Sequence, residues 1–139
     1  MHKDDLNLIE SNNNQAMSAG NFFGRIVLSA SVRDFSRRKM KAFTPSVFLE
    51  DGDDLEEYGI KAKVIGLPGH TKGSIGIDIA GKELIVGDAL MNIFRPGVSM
   101  LYNDEKAMLE SAEKITRLGE RTIYFGHGKP VRNRIWVRK

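Results

Sequence analysis

Pro68-Gly69-His70-Thr71-Lys72-Gly73-Ser74 is the stretch of sequence that decides the fold. It follows a short apolar run, Val64-Ile65 with Leu67, which predicts a β-strand that ends at Pro68-Gly69. Glycine lets the backbone adopt a positive φ and approach a neighbouring group closely. The stretch therefore predicts a strand that runs into a tight turn and presents an imidazole, that of His70.

The same arrangement occurs twice more along the chain. The apolar run Leu84-Ile85-Val86 leads into Gly87-Asp88-Ala89, and Thr122-Ile123-Tyr124-Phe125 leads into Gly126-His127-Gly128. Loops at strand ends in layered α/β proteins converge on ligands, and imidazole and carboxylate bind zinc, iron or manganese. Each residue taken singly is more often an ordinary hydrogen-bonded turn residue than a metal ligand. The threefold recurrence, with His70, favours a metal site.

The other segments predict an α/β layered domain. Ile75, Ile77 and Ile79 alternate with Gly76 and Asp78, a pattern typical of a strand with one buried face. Residues 47–49 are a further strand candidate, and residues 21–39 have the apolar spacing of an amphipathic helix.

A second helix is predicted before the last strand. Asn103 is the expected N-cap, and Gly119 the expected C-terminal stop. The expected buried stripe consists of Met108, Ala112 and Ile115.

Composition limits the class of protein. With 139 residues, of which 41% are apolar and 28% charged, the chain fits one globular domain. No stretch has the roughly 20 apolar residues of a membrane span, and residues 1–5 are too polar for a signal peptide. The absence of cysteine excludes disulfides and thiolate ligands, so a cytoplasmic location is expected.

Basic residues cluster within 33–41 and 132–139, while the net charge is only +3. Such clusters attract phosphates, but a solvated helix end and a solvated tail are the favoured interpretation. Aromatic residues that would stack on bases do not alternate with these charges, which disfavours nucleic acid as a partner.

The three motifs together resemble the metallo-β-lactamase superfamily. Pro-Gly-His-Thr-x-Gly-Ser, Gly-Asp-Ala-Leu and Gly-His-Gly follow three strands in that order, between Lys61 and Pro130. The general bacterial metallo-hydrolases that include the glyoxalase-II-like enzymes are the most similar group. The resemblance implies an αββα sandwich with a dinuclear site, usually zinc, with iron or manganese as alternatives. It implies that His70 is an imidazole of the first metal, that Asp88 bridges both metals, and that His127 binds the second.

The resemblance also implies a reaction. Two metals share a water, lower its pKa, and make hydroxide the nucleophile that attacks an ester, thioester, lactone or related bond of a small molecule. Thr71 is expected to orient His70 or Asp88. Lys129 is a candidate contact for an anionic substrate group, with an exposed, solvated lysine as the alternative. Met91, Phe94 and Tyr102 are expected either to wall the substrate pocket or to pack in the core.

One motif of the resembled family is missing. Its His-x-His-x-Asp-His sequence is absent, and the nearest candidate, His2-Lys3-Asp4-Asp5, has one histidine and the wrong spacing. The sequence therefore predicts that residues 1–139 are the C-terminal portion of a single domain, an incomplete αββα sandwich that lacks its N-terminal strands. Weak or partial metal occupancy and an inactive isolated chain follow from this.

A missing sheet also exposes an apolar face and an unpaired strand edge. The expected partners are therefore a second copy of the chain or the missing N-terminal half. Two alternatives to a hydrolase stay open: a non-catalytic interaction or structural module, and an iron-dependent redox member of the same superfamily, such as a sulfur dioxygenase or a flavodiiron-type protein.

Overall fold

A computed structural model describes residues 1–10, 17–37 and 43–138. Two 3₁₀ turns, at Lys3–Asp5 and Glu56–Tyr58, accompany the helices and strands. In chain order the helices and strands are α1 (Leu6–Glu10), β1 (Ser18–Ala19), α2 (Phe22–Arg37), β2 (Ala62–Gly66), β3 (Ile75–Ile79), β4 (Glu83–Gly87), β5 (Leu90–Met91), β6 (Gly97–Val98), β7 (Leu101–Tyr102), α3 (Glu105–Arg117), β8 (Thr122–Phe125) and β9 (Val131–Arg132). The α/β class expected from the sequence is confirmed.

A five-stranded mixed sheet in the order β2-β3-β4-β8-β9 organises the molecule. The pairs β2–β3 and β3–β4 are antiparallel, whereas β4 and β8 are parallel. A parallel pair needs a crossover connection, and α3 lies in the connection between β4 and β8. Because β2, β4 and β8 run in the same direction, their C-terminal ends meet at one edge of the sheet.

Helix α3 covers one face of this sheet. Its N-cap is Asp104, whose Oδ1 accepts a hydrogen bond from the Ala107 N–H at 3.0 Å. The predicted cap Asn103 was wrong by one residue, because it is the side chain of Asp104 that accepts the hydrogen bond from the first turn of the helix. Gly119 follows the helix with φ +79°, as a C-terminal stop requires. The predicted stripe is buried and gains Ser111: Met108, Ser111, Ala112 and Ile115.

The main core lies between α3 and the strands behind it. Alternation along a strand assigns Leu84 and its paired neighbour Ile123 to the helix side, and both are fully buried. The intervening Ile85 and its neighbour Tyr124 lie on the opposite face and remain 44% and 36% exposed. The core on the α3 side includes Leu84, Val86, Ala112, Ile115 and Ile123.

Strand β3 differs from its prediction. Its isoleucines are only half-buried, whereas the side chain of Asp78 on the α3 side is 13% exposed. Asp78 tolerates this burial because the Arg121 guanidinium binds it through two nitrogens, with Nη2 at 2.9 Å from Oδ2. The chain thus places an ion pair where the alternation predicts a solvent face.

Two further predictions fail through tertiary contacts. Residues 47–49 form no strand: the Met1 ammonium donates to the Val47 carbonyl, and the Leu49 N–H donates to the Met1 carbonyl. Helix α2 is present, but its apolar face is not buried. Phe23 is 62% exposed, and Gly24 is the one buried residue among the α2 residues whose burial is described. Residues 38 and 39, also predicted helical, lie outside the described residues.

A charged contact joins α3 to the edge of the sheet. Asp51 accepts hydrogen bonds from the Gly66 N–H at 2.7 Å and from Lys114 Nζ at 2.9 Å. The Gly66 N–H first, and Lys114 second, hold the pKa of the Asp51 carboxyl below its usual range. A lowered folded-state pKa means that this stabilisation is present above about pH 4 and is lost as the pH falls further.

Within the described part of the chain, no helix is long and apolar enough to cross a membrane.

The Asp78–Arg121 pair yields the first prediction. Arg121→Ala leaves the Asp78 carboxylate largely buried without its cation, so we expect the free energy of unfolding to fall by about 2–3 kcal/mol. Urea unfolding followed by circular dichroism measures this. Arg132→Ala, at an exposed arginine of β9, is the matched control and should stay within about 0.5 kcal/mol of the parent. Equal losses in both variants would show that the ion pair is dispensable.

Candidate metal centre

The three side chains predicted from the strand ends come together at the C-terminal edge of the sheet. Asp88 follows β4 and lies between the other two. Its Oδ2 is 3.9 Å from His70 Nε2, and its Oδ1 is 3.6 Å from His127 Nε2. The sheet topology accounts for this, because all three residues follow strands that run in the same direction.

The Asp88 carboxylate is held in an unusual environment. Its Oδ1 is buried and has no hydrogen-bond partner among the described residues. A Cβ on Gly126 would lie 2.5 Å from that oxygen, so only glycine fits beside it. A buried carboxylate oxygen without a donor is unfavourable by itself, and such atoms call for an unseen cation or water.

His70 is oriented by a contact on its far side. Its Nδ1 lies 2.9 Å from the Leu101 carbonyl, which can only accept a hydrogen bond. The proton is therefore assigned to Nδ1, and the lone pair of Nε2 faces Asp88. The His70 side chain is 19% exposed, so the ring is fixed and mostly shielded.

His127 is held through its backbone. Its carbonyl accepts a hydrogen bond from the Asn92 N–H at 2.9 Å, and Asn92 Nδ2 donates to the Lys129 carbonyl at 2.8 Å. Gly128, at φ +103°, passes so close to Asn92 that a Cβ would lie 2.0 Å from its carbonyl oxygen. The imidazole itself is 62% exposed, so the loop is fixed while the ring can turn.

The loop that carries His70 is attached to the N-terminal segment. Asp5 accepts hydrogen bonds from the Thr71 hydroxyl at 2.6 Å and from the Gly73 N–H at 2.9 Å. The Thr71 hydroxyl also lies 2.8 Å from Ser74 Oγ. Thr71 was expected to orient His70 or Asp88, but the structure directs its hydroxyl to Asp5. The carbonyl of Leu101 has the orienting contact instead.

The remaining candidates surround the site loosely. Lys129 is exposed. It contacts Asn92 through its backbone carbonyl and not through its ammonium group. The ring of Tyr102 lies over Gly20, whose Cβ position is 3.4 Å from Tyr102 Cε1. Met91 is buried, whereas Phe94 is 75% exposed. Core packing, one of the two roles expected for these side chains, therefore fits Met91 and does not fit Phe94.

Sequence reasoning missed Asp5 and Asn92. Asp5 is 66 positions from Thr71, and Asn92 is 37 positions from Lys129. Asp5 follows a polar stretch, and Asn92 follows only the two-residue strand β5, which is too short to give a periodic pattern, so no local signal distinguishes either from an ordinary loop residue.

The geometry fits a metal only in part. Bonds from zinc to nitrogen or oxygen are about 2.0–2.2 Å, so a metal seated between two donors separates them by up to about 4 Å. Both His–Asp separations, 3.9 Å and 3.6 Å, satisfy this limit and are too long for hydrogen bonds. Among the described residues, however, no three His, Asp or Glu side chains form a group that could hold one ion. The arrangement is two donor pairs that share Asp88.

The role of Asp5 is testable. Asp5→Ala removes the acceptor of two hydrogen bonds, so we expect a loss of about 2 kcal/mol in unfolding free energy and at least tenfold faster amide exchange at Gly73. Asp4→Ala is the matched control, because the neighbouring Asp4 is exposed. Its carboxylate lies 3.8 Å from His2 Nδ1. Unchanged exchange at Gly73 in Asp5→Ala would contradict a role for Asp5 in holding this loop.

Comparisons with known proteins agree with the motifs. The chain is 42% identical over 78 residues to the hydroxyacylglutathione hydrolase of Vibrio campbellii, covering 55% of this chain and 29% of that protein. It is 36% identical over 95 residues to the hydroxyacylglutathione hydrolase of Crocosphaera subtropica, covering 63% of this chain and 36% of the relative. The chain thus spans about a third of these relatives. No family model matches it.

Solved structures match nearly the whole chain. A metallo-β-lactamase family protein of Thermus thermophilus aligns with a TM-score of 0.65 at 24% identity, over 96% of this chain and 47% of its own. The protein TTHA1623, solved in a di-iron-bound form, aligns with a TM-score of 0.67 at 25% identity, over 95% of this chain and 58% of its own. The resemblance predicted from the motifs is therefore confirmed: the chain has the metallo-β-lactamase fold, over about half the length of these proteins, and is similar in sequence to the hydroxyacylglutathione hydrolases.

Proposed function

We propose that the chain is part of a metal-dependent hydrolase of ester, thioester, lactone or related bonds. The observation that supports this most is the Asp88 carboxylate, which has an unpaired buried oxygen and lies between the imidazoles of His70 and His127. A structural carboxylate would be expected to find a hydrogen-bond donor. This one instead meets two nitrogens at distances that suit a shared cation.

The proposed ligand sets follow from the two donor pairs. His70 and Asp88 would contribute to one metal, and Asp88 and His127 to a second, with zinc as the expected ion. A divalent metal bound there supplies Lewis acidity and brings the pKa of water close to neutrality. The residues of this chain orient the ligands: Leu101 holds His70 through Nδ1, Asn92 holds the loop of His127, and Gly126 leaves room for the Asp88 carboxylate.

Among the described residues each proposed metal has two donors, whereas catalytic zinc sites usually have three protein ligands. We therefore expect weak, partial metal occupancy and little hydrolysis by the isolated chain. The hydroxyacylglutathione hydrolase similarity makes a hydroxyacyl thioester the first substrate to test. Iron is the alternative metal, since a related structure is described as di-iron-bound. A redox protein or a non-catalytic module would be the corresponding alternative functions.

The metal proposal is tested by zinc titration of the purified chain with calorimetry and thermal unfolding. We expect binding with a Kd above about 1 µM, lost in Asp88→Asn and weakened at least tenfold in His70→Ala and His127→Ala. His2→Ala, at the chain's other histidine, is the control and should bind as the parent does. Without zinc, Asp88→Asn should be as stable as the parent or more stable, because it removes a poorly solvated carboxylate.

Two results would contradict these expectations. Zinc binding that persists in Asp88→Asn would exclude the proposed ligand sets. Rapid turnover of a hydroxyacylglutathione thioester by the isolated chain at stoichiometric zinc would show that two donors per metal suffice. Equal binding of iron and zinc, with oxygen consumption and no thioester cleavage, would favour the redox alternative.

We further propose that a second β-sheet covers the face of the main sheet opposite α3. This open sheet face is defined by Ile85 and Tyr124, which pair across β4 and β8. Near β2 the same side is covered, since the half-buried Ile77 packs with buried Leu55 and Val64. Ile85 and Tyr124 remain 44% and 36% exposed. In a layered α/β domain such a face packs against another layer.

In solutions of this chain alone, we expect a second copy to supply the covering sheet. Ile85→Lys places a charge in the middle of the face, so it should shift the chain from dimer or larger species to monomer. Analytical ultracentrifugation measures the distribution. Ile135→Lys is the matched control, because Ile135 is 68% exposed and outside the sheet. A parent chain that is still monomeric at about 100 µM would refute self-association.

A further inference from the structure

An apolar cleft of about 510 Å³ lies where the start of α2 meets the loop between β5 and β6. This volume is typical of small-molecule sites, which range over roughly 300–1,000 Å³. The side chains that line it include those of Phe23, Met91, Ile93, Phe94, Arg95 and Val98. We call this feature the aromatic cleft.

The aromatic cleft exposes large apolar side chains. Phe94 is 75% exposed, Phe23 is 62% exposed, and their ring centroids lie 6.3 Å apart. Ile93 beside them is 42% exposed. Single exposed apolar residues are ordinary, but a contiguous group that lines a concavity marks a binding site.

The aromatic cleft is built on backbone that also forms the candidate metal centre. Met91 and Ile93 flank Asn92, whose N–H donates to the His127 carbonyl at 2.9 Å. Met91 pairs with Gly97 across the β5–β6 hairpin, which begins two residues after Asp88. The cleft and the metal centre are therefore connected through the backbone at Asn92, although His70, Asp88 and His127 do not line the cleft themselves.

The wall formed by α2 is fixed. Gly24 is buried, and a Cβ there would lie 3.0 Å from the Met100 carbonyl oxygen. The Gly20 N–H donates to the same carbonyl at 3.2 Å. Phe23 is therefore presented by a helix end that packs closely on the opposite wall, so the cleft exists without a ligand and a molecule that enters it loses less entropy.

A cation completes the lining. Arg95 is exposed, and among the described residues it has no ion pair with a carboxylate. A guanidinium at the rim of an apolar cleft suits a ligand that has an apolar body and an anionic end.

We propose that the aromatic cleft binds the aryl or alkyl part of a carboxylate, with Arg95 on the anionic end. This deepens the proposed hydrolase function and rests on it, since hydrolysis of an ester or thioester releases such a carboxylate. The binding step itself requires no metal and no turnover.

The test is a titration of the isotope-labelled chain with 4-phenylbutyrate, followed by amide chemical shifts. Shifts are expected at residues 91–98 and around Phe23. Butyrate, which lacks the ring, should bind at least tenfold more weakly. 4-Phenylbutylamine, which replaces the anion by a cation, should bind about threefold more weakly. Competition from a second copy is monitored by ultracentrifugation of the same samples.

Variants assign the contacts. Phe94→Ala should weaken 4-phenylbutyrate binding about tenfold, and Arg95→Gln about threefold, with no loss for 4-phenylbutylamine. Ile135→Ala and Arg132→Gln, at exposed residues outside the cleft, are the matched controls and should leave binding unchanged. Shifts confined to the open sheet face, unchanged binding in Phe94→Ala, or a cleft occupied by a second copy would overturn the proposal. Binding as described, together with zinc binding that persists in Asp88→Asn, would support the cleft and count against the proposed metal centre.

Discussion

The close approach of Gly69 to the first turn of α3 is the contact on which the arrangement depends. At φ +134°, a Cβ on Gly69 would lie 2.3 Å from Met108 Cα, so any other residue would push the helix away. The Gly69 carbonyl accepts hydrogen bonds from the N–H groups of Asn103 and Asp104. The end of β2, the start of α3 and the position of His70 are therefore set together, and the helix is seated on the core by the same contact.

The candidate centre combines fixed backbone with an unsatisfied side chain. Backbone hydrogen bonds from Asn92 and side-chain contacts from Asp5 hold the loops of His127 and His70. Against these, the buried Oδ1 of Asp88 has no partner among the described residues. A scaffold that maintains such a carboxylate is what the proposed metal site requires, because a bound cation would offset the cost of the unpaired oxygen. The loops around Asp88 are thus held in place while one oxygen of its carboxylate lacks a partner.

The motifs predicted much of the fold and the centre because each one is local. A strand that ends in glycine and a ligand can be read within seven residues, as in the stretch around His70, and the buried stripe of α3 needs only its own spacing. Predictions failed where distant residues decide. Residues 47–49 form no strand because Met1 bonds to them, Asp78 is shielded because Arg121 reaches it across 43 positions, and Thr71 turns to Asp5 across 66. Such contacts leave no periodic signal in the sequence.

The sequence by itself determined the strand-end positions of His70, Asp88 and His127 and the likeness of the chain to the metallo-β-lactamase superfamily, because glycine-flanked ligands after apolar strands are defined by neighbouring residues. Tertiary structure alone decided that the three meet at one edge, since that requires β2, β4 and β8 to run in the same direction. It also decided which faces stay open: α3 covers one side of the sheet, while Ile85 and Tyr124 on the other remain exposed. Direction and coverage depend on how elements pack, and packing is a property of the folded chain as a whole.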